Sequence, residues 1–240
     1  MSNADAIILQ NLTIGYPNHV VQQALSLTLR QGEMVCMLGR NGCGKSTLLR
    51  TLAGLQPALG GQYKIDDVAV VLTDRLNLEN TSVHDVVAIG RYPYTSFLGA
   101  LTVDDERIVH EALKQVFDTD ISDFDARPFN SLSDGEKQRV LIAKALAQQT
   151  PVILLDEPTA HLDLPNRITL LRLLRRLAHE QNKTILISTH ELELALRLSD
   201  RILLMADNGV ELDTPQSLRQ SDAFTRAFGM NIFDVSAIEE

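Results

Sequence analysis

Gly39-Arg40-Asn41-Gly42-Cys43-Gly44-Lys45-Ser46-Thr47 carries glycine, lysine and serine at every fixed position of G-x-x-x-x-G-K-[ST]. An apolar run, Met34 to Leu38, precedes it, and a helix-like run, Thr47 to Ala53, follows. A glycine-rich turn between a strand and a helix is built for anion capture. Its glycines let backbone N–H groups curl round phosphates, and the helix N-terminus adds its dipole. Residues Gly39 and Asn41 to Thr47 therefore form the expected phosphate cradle. Lys45 is expected to reach the β- and γ-phosphates, and the Ser46 hydroxyl to ligate Mg²⁺. The expected ligand is a nucleoside triphosphate, read as ATP, with Mg²⁺.

Composition bounds what surrounds this loop. The chain has 240 residues, enough for one large α/β domain with its own core. A formal charge of −9 lacks the basic footprint of a nucleic-acid binder, so no nucleic-acid partner is expected. The two cysteines, Cys36 and Cys43, lie in or beside the phosphate loop. They outline no disulfide framework and point to a reducing compartment. No basic-then-apolar leader opens the chain. Apolar runs such as Val152 to Leu155 fall far short of the roughly 20 residues a membrane-spanning helix needs. Any work at a membrane is expected to rely on other chains for the spanning.

Before the loop, Ala6–Leu9, Leu12–Ile14 and Val20–Leu29 read as short strands about a turn at Gly15 to Asn18. Tyr16 in that turn is either packing surface or a ring that stacks on the base of the nucleotide. After the first helix, Gln62–Ile65 and Val68–Leu72 read as strands, and helices are expected at 83–89 and 103–117. Gly90-Arg91-Tyr92-Pro93-Tyr94 lies between them as a segment that cannot continue a helix, with aromatics expected in the core. The expected organisation is a single domain over 1–240. Residues 1–76 and 128–212 make the nucleotide-binding core, 77–127 a helical lobe and 213–240 a tail.

Two later stretches bear on the same chemistry. Leu132-Ser133-Asp134-Gly135-Glu136 opens a strong helix to Gln148, and its serine reads first as a helix cap. Val152 to Leu155 form a buried strand ending in Asp156 and Glu157, where the sites of α/β sheets lie. Asp156 is placed to hold Mg²⁺ and Glu157 to polarise an attacking water. Another buried strand, Thr184 to Ser188, ends at Thr189-His190, and His190 is a candidate γ-phosphate contact.

Taken together, these elements resemble the nucleotide-binding subunit of an ABC transporter over roughly residues 9–228. Gly90-Arg91-Tyr92-Pro93 and Pro158-Thr159-Ala160-His161-Leu162-Asp163-Leu164 are similar to segments of subunits serving importers of iron–siderophore complexes, haem and cobalamin. The resemblance implies an α/β phosphate-loop NTPase core with a small antiparallel β lobe and a helical insertion. It implies a homodimer whose copies pair head to tail around two ATP molecules. Each nucleotide would then lie between the phosphate loop of one copy and Ser133, Gly135 and Glu136 of the other, with Asp163 at the interface. It further implies transmembrane permease subunits and, through them, a periplasmic or surface substrate-binding protein, with the chain held peripherally at the cytoplasmic face of the inner membrane. Three departures stand out. Asp74 is the nearest counterpart of a glutamine that usually holds Mg²⁺, Asp134 replaces a usual glycine and is expected to face outward, and the stretch 61–72 suggests a reduced β lobe. Close alternatives are the ATPase subunit of an exporter or lipoprotein-release system. More distant ones are soluble ABC-type ATPases acting on DNA, whose coiled-coil insertions are missing here, or on ribosomes.

Overall fold

A computed structural model describes residues 4–72, 78, 80–95, 99–117, 123–206 and 209–229. The chain opens with β1 (Asp5–Tyr16) and β2 (His19–Arg30), passes through β3 (Met34–Gly39) into α1 (Lys45–Leu52), then forms β4 (Gly60–Ile65) and β5 (Val68–Val71). The helical lobe carries α2 (Val83–Ala88) and α3 (Val103–Phe117). Then come α4 (Asp134–Ala147), β6 (Val152–Asp156), α5 (Leu164–Gln181), β7 (Thr184–Ser188) and α6 (Leu192–Leu198). The described chain ends through β8 (Arg201–Ala206), β9 (Gly209–Asp213), α7 (Pro215–Gln220) and α8 (Ala223–Phe228).

Two sheets form. One is antiparallel, in the order β2-β1-β4; the other runs β5-β6-β7-β3-β8-β9, parallel except for β9. The two segments expected within 6–14 are one strand. Asn11 takes φ 49° at a shift in register between Leu9 and Leu12, a bulge that lets β1 bend and continue. Of the two strands expected between 62 and 72, only β4 joins the antiparallel sheet, while β5 edges the parallel one.

β3 explains the layering. Met34, Cys36 and Leu38 pack with the helices α2 to α5, while Val35 and Met37 pack with α1 and the antiparallel sheet. A strand buried on both faces has to read as a continuous apolar run, and Met34 to Leu38 does. Burial also pushes the Cys36 thiol up to about 12, so it stays protonated and behaves as a small apolar group.

The helical lobe departs from expectation at one point. Ile89–Tyr94 does not break away after α2 but tightens into a 3-10 turn. Gly90 lies so close to α4 that a Cβ there would stand 2.3 Å from the Lys144 carbonyl oxygen. The tyrosines are not core: Tyr92 is 57% exposed and Tyr94 56%. The buried group is Arg91, whose guanidinium bonds Asp105 at 2.8 Å, the Ala147 carbonyl at 2.8 Å and the Gln149 side chain at 3.1 Å. Arg91 thus satisfies the Ala147 carbonyl at the C-terminal end of α4, where a cation also suits the helix dipole.

Asp105 is the counter-ion in this network. The Thr102 hydroxyl and N–H donate to it at 2.7 and 2.9 Å; with Arg91 they lower its carboxyl to about 2. A folded-state value below the unfolded one gives stability that is present above the ordinary carboxylate range of about 4 and lost as pH falls through the folded value. Asp105→Asn is therefore expected to lower the melting temperature by several degrees at pH 7. The deficit should narrow as pH falls from about 4 towards about 2, as followed by circular dichroism.

Candidate nucleotide site

The phosphate loop bridges the end of β3 and the start of α1. Gly42 and Gly44 take φ 81° and 107°, and Gly44 serves as N-cap of α1 without a side-chain cap bond. A Cβ on Gly44 would also meet Val21 at 2.7 Å. Glycine is thus demanded twice at this position, by backbone conformation and by space. Lys45 is buried and curls back on the loop, its Nζ donating to the carbonyls of Gly39 at 2.9 Å and Arg40 at 3.3 Å. Tyr16, at the tip of β1, leaves its ring half exposed.

The parallel register brings other strand ends to the same edge. Asp156 closes β6 and is paired with Ser188 at the end of β7. Ser46 Oγ donates to Asp156 Oδ1 at 3.0 Å, so the hydroxyl of the loop and the strand carboxylate meet. Both are hard oxygen donors of the kind Mg²⁺ prefers, and the pair suits that ion. Glu157, next in the chain, accepts from His190 Nε2 at 2.8 Å. Asp74 lies outside the described residues.

Ser133, Gly135, Glu136 and Asp163 form a second cluster. Ser133 and Glu136 make a reciprocal capping box at the start of α4. The Ser133 N–H reaches Glu136 Oε2 at 2.8 Å and, with Arg127 at 3.4 Å, keeps that carboxyl below its ordinary range. The box takes the N–H groups of Ser133 and Glu136 and not those of Asp134 and Gly135. Asp134 is exposed. Gly135 abuts Asn166, whose N–H is in turn bonded by Asp163, the N-cap of α5. The two helix starts are therefore tied together.

Two residues escaped the sequence reading. Gln22, in β2 and buried, donates from Nε2 to the Cys43 carbonyl at 3.0 Å and the Ala206 carbonyl at 2.7 Å, buttressing the phosphate loop from behind. Nothing in its local pattern sets it apart from Gln23. Ser188 bonds both strand acids. Its signal was a lone hydroxyl closing an apolar strand.

A glycine-rich anion cradle at a helix start, with strand-end acids and a histidine beside it, is the architecture of a phosphate-loop ATPase. A family model described as ABC transporter matches residues 22–160, more than half of the chain. The chain belongs to the ABC transporter family, and its α/β fold is that of an ATP-hydrolysing cassette. The probable siderophore transport system ATP-binding protein YusV of Bacillus subtilis (strain 168) is 36% identical over 94% of this chain and 86% of its own length. Among solved structures, an inward-facing transporter assigned as metal-chelate type is 31% identical, covers 94% of this chain and 90% of its own, and superposes with TM-score 0.86. The ATP-binding cassette MJ0796, a dimer bound to ADP and Pi, is 27% identical over 87% of this chain and 98% of its own, with TM-score 0.73. Among the described residues, no helix is long and apolar enough to cross a membrane.

Gln22→Ala should lower urea stability by about 1–3 kcal/mol, the range for a buried polar group that loses its partner. It should also weaken binding of a fluorescent ATP analogue, because the loop loses its support.

Proposed function

We propose that this chain is the ATP-hydrolysing subunit of a membrane importer for an iron chelate or cobalamin. The meeting of Ser46, Asp156, Glu157 and His190 beside the phosphate loop carries the catalytic half of this reading. The likeness to YusV and to the metal-chelate type transporter supports the cargo class. Backbone amides of the loop, Gly39 and Asn41 to Thr47, hold the phosphates of ATP, and Tyr16 stacks on the adenine. Lys45 leaves the carbonyls it now contacts and neutralises the β- and γ-phosphates. Ser46 and Asp156, with Asp74 as a third donor, hold Mg²⁺, which when bound neutralises charge on the phosphate oxygens.

Glu157 orients and polarises the attacking water. The water oxygen bonds the γ-phosphorus and gives up a proton to Glu157 while the bond from that phosphorus to the β–γ bridging oxygen breaks, and ADP leaves with the electron pair. His190, through the nitrogen that now donates to Glu157, stabilises charge on the γ-phosphate. A second copy completes each site. The Asp134 and Gly135 amides at the start of α4, with Ser133 and Glu136, face the partner's γ-phosphate, and Asp163 lies at the interface. Repeated closing and opening of this dimer drives a separate permease, supplied by a periplasmic or surface substrate-binding protein. The chain itself sits peripherally on the cytoplasmic face of the membrane. Within the single domain, residues 77–127 form the lobe that docks the permease.

Glu157→Gln should bind ATP within a few-fold of the parent and lose about 10²- to 10⁴-fold in kcat, the range for removing a general base. It should elute as a dimer with ATP and Mg²⁺, whereas Lys45→Ala should lose ATP binding. Tagged Glu157→Gln, trapped with ATP in its native cell, should recover a multi-helix permease from solubilised membranes. Recovery with ribosomes or DNA instead would defeat the importer reading and leave the ATPase standing. Asp134→Gly should keep ATPase activity within about twofold, because the carboxylate points to solvent at an exposed helix start.

A further inference from the structure

β7 is apolar through Ile185, Leu186 and Ile187, and it closes on a serine that is wholly buried. A buried hydroxyl costs stability unless it is bonded, and both bonds of Ser188 go to the site. Its Oγ donates to Asp156 Oδ1 at 2.6 Å and accepts the Glu157 N–H at 2.8 Å. One hydroxyl therefore holds the side chain of the first strand acid and the backbone of the second. That backbone is unusual. Glu157 takes φ 46°, in the left-handed region that a glutamate occupies only when its surroundings hold it there. The turn it makes brings its carboxylate within 2.8 Å of His190.

We propose that Ser188 is a positioning residue for ATP hydrolysis. It fixes the Asp156 carboxylate for the Mg²⁺ it shares with Ser46, and it locks the turn that presents Glu157 to the attacking water. The inference rests on the roles given above to Asp156 and Glu157. Its physical content is that one proton donor and one lone-pair acceptor on the same oxygen couple the metal-holding acid to the water-orienting acid. Ser46 donates to the same Asp156 oxygen at 3.0 Å. When Ser46 turns to the metal, Ser188 remains to hold the carboxylate in place.

The deciding comparison is Ser188→Thr against Ser188→Val, which have nearly the same volume and differ in the hydroxyl, with Ser188→Ala as a smaller companion. In the nucleotide-free protein, amide hydrogen exchange at Glu157 should be about tenfold faster in the Val and Ala variants, which leave that N–H without its acceptor, and unchanged in Thr. Mn²⁺, titrated by electron paramagnetic resonance in the presence of ATP, should bind roughly 10- to 100-fold more weakly to Val and Ala, the usual cost of losing a group that orients a metal ligand. Metal-free binding of a fluorescent ATP analogue should stay within about twofold in all three, because the loop amides that hold the phosphates are untouched. Val matching Thr in exchange and in Mn²⁺ affinity would overturn the proposal. So would equal loss of kcat in Val and Thr without a metal shift, which would mark Ser188 as packing alone. Glu157→Gln run in parallel separates the two layers. If it hydrolyses ATP at the parental rate, the roles of the acids fail and the proposal falls with them. If it is inert while Val behaves as Thr, only the role of Ser188 fails.

Discussion

The register of the parallel sheet is the constraint on which the rest depends. β3, β6 and β7 are each buried along their whole length, so none of them can carry unpaired polar side chains there without cost. Polar groups are admitted at the C-terminal ends, where the strands leave the core. Pairing of Met37 with Ser188, and of Ser188 with Asp156, brings those ends level. A slip of one residue in either pairing would turn Asp156 or Ser188 to the opposite face and dissolve the cluster. The candidate site follows from how an apolar sheet stacks, and its acids and serine occupy the positions that stacking leaves open.

The two helix starts are prepared differently. α1 begins at a left-handed glycine with no side-chain cap, which leaves its first turn to face an anion. α4 begins with a capping box that binds the N–H groups of Ser133 and Glu136, and its Gly135 lies against Asn166 of α5. At its other end α4 is held by Arg91, itself paired with Asp105 of α3. The helix that carries the Ser133–Glu136 segment is thus fastened at both ends, to the core through α5 and to the helical lobe through Arg91. A movement of that lobe would be carried along α4 as a rigid element.

The phosphate loop, the strand acids and the helix at 103–117 were legible because each rests on a local rule. A fixed glycine spacing, a two-faced apolar run and a 3.6-residue period are all written within a few residues. The segment around Arg91 was not legible in that way. Pro93 argued for a break, yet contact of Gly90 with α4 and the buried guanidinium keep the chain winding as a 3-10 turn. The aromatic residues there read as core, and the structure buries Arg91 instead, its guanidinium over the Tyr94 ring at 4.2 Å. Local propensity lost to a contact more than fifty residues away, because the stabilising partners of Arg91 are carbonyl and side-chain groups at the end of α4.

By itself, the sequence determined that a glycine-rich loop of the nucleotide-binding pattern lies between a buried strand and a helix, and which carboxylates end another buried strand. Those features depend on backbone conformations that glycine permits and on burial that an apolar run demands. Only the tertiary structure decided that Gln22 props the loop, that Ser188 joins Asp156 to Glu157, and that β4 and β5 part into different sheets. These are hydrogen bonds and pairings across many residues of chain. They come into being when strands far apart in sequence take their places in a sheet, so no short stretch of the sequence encodes them.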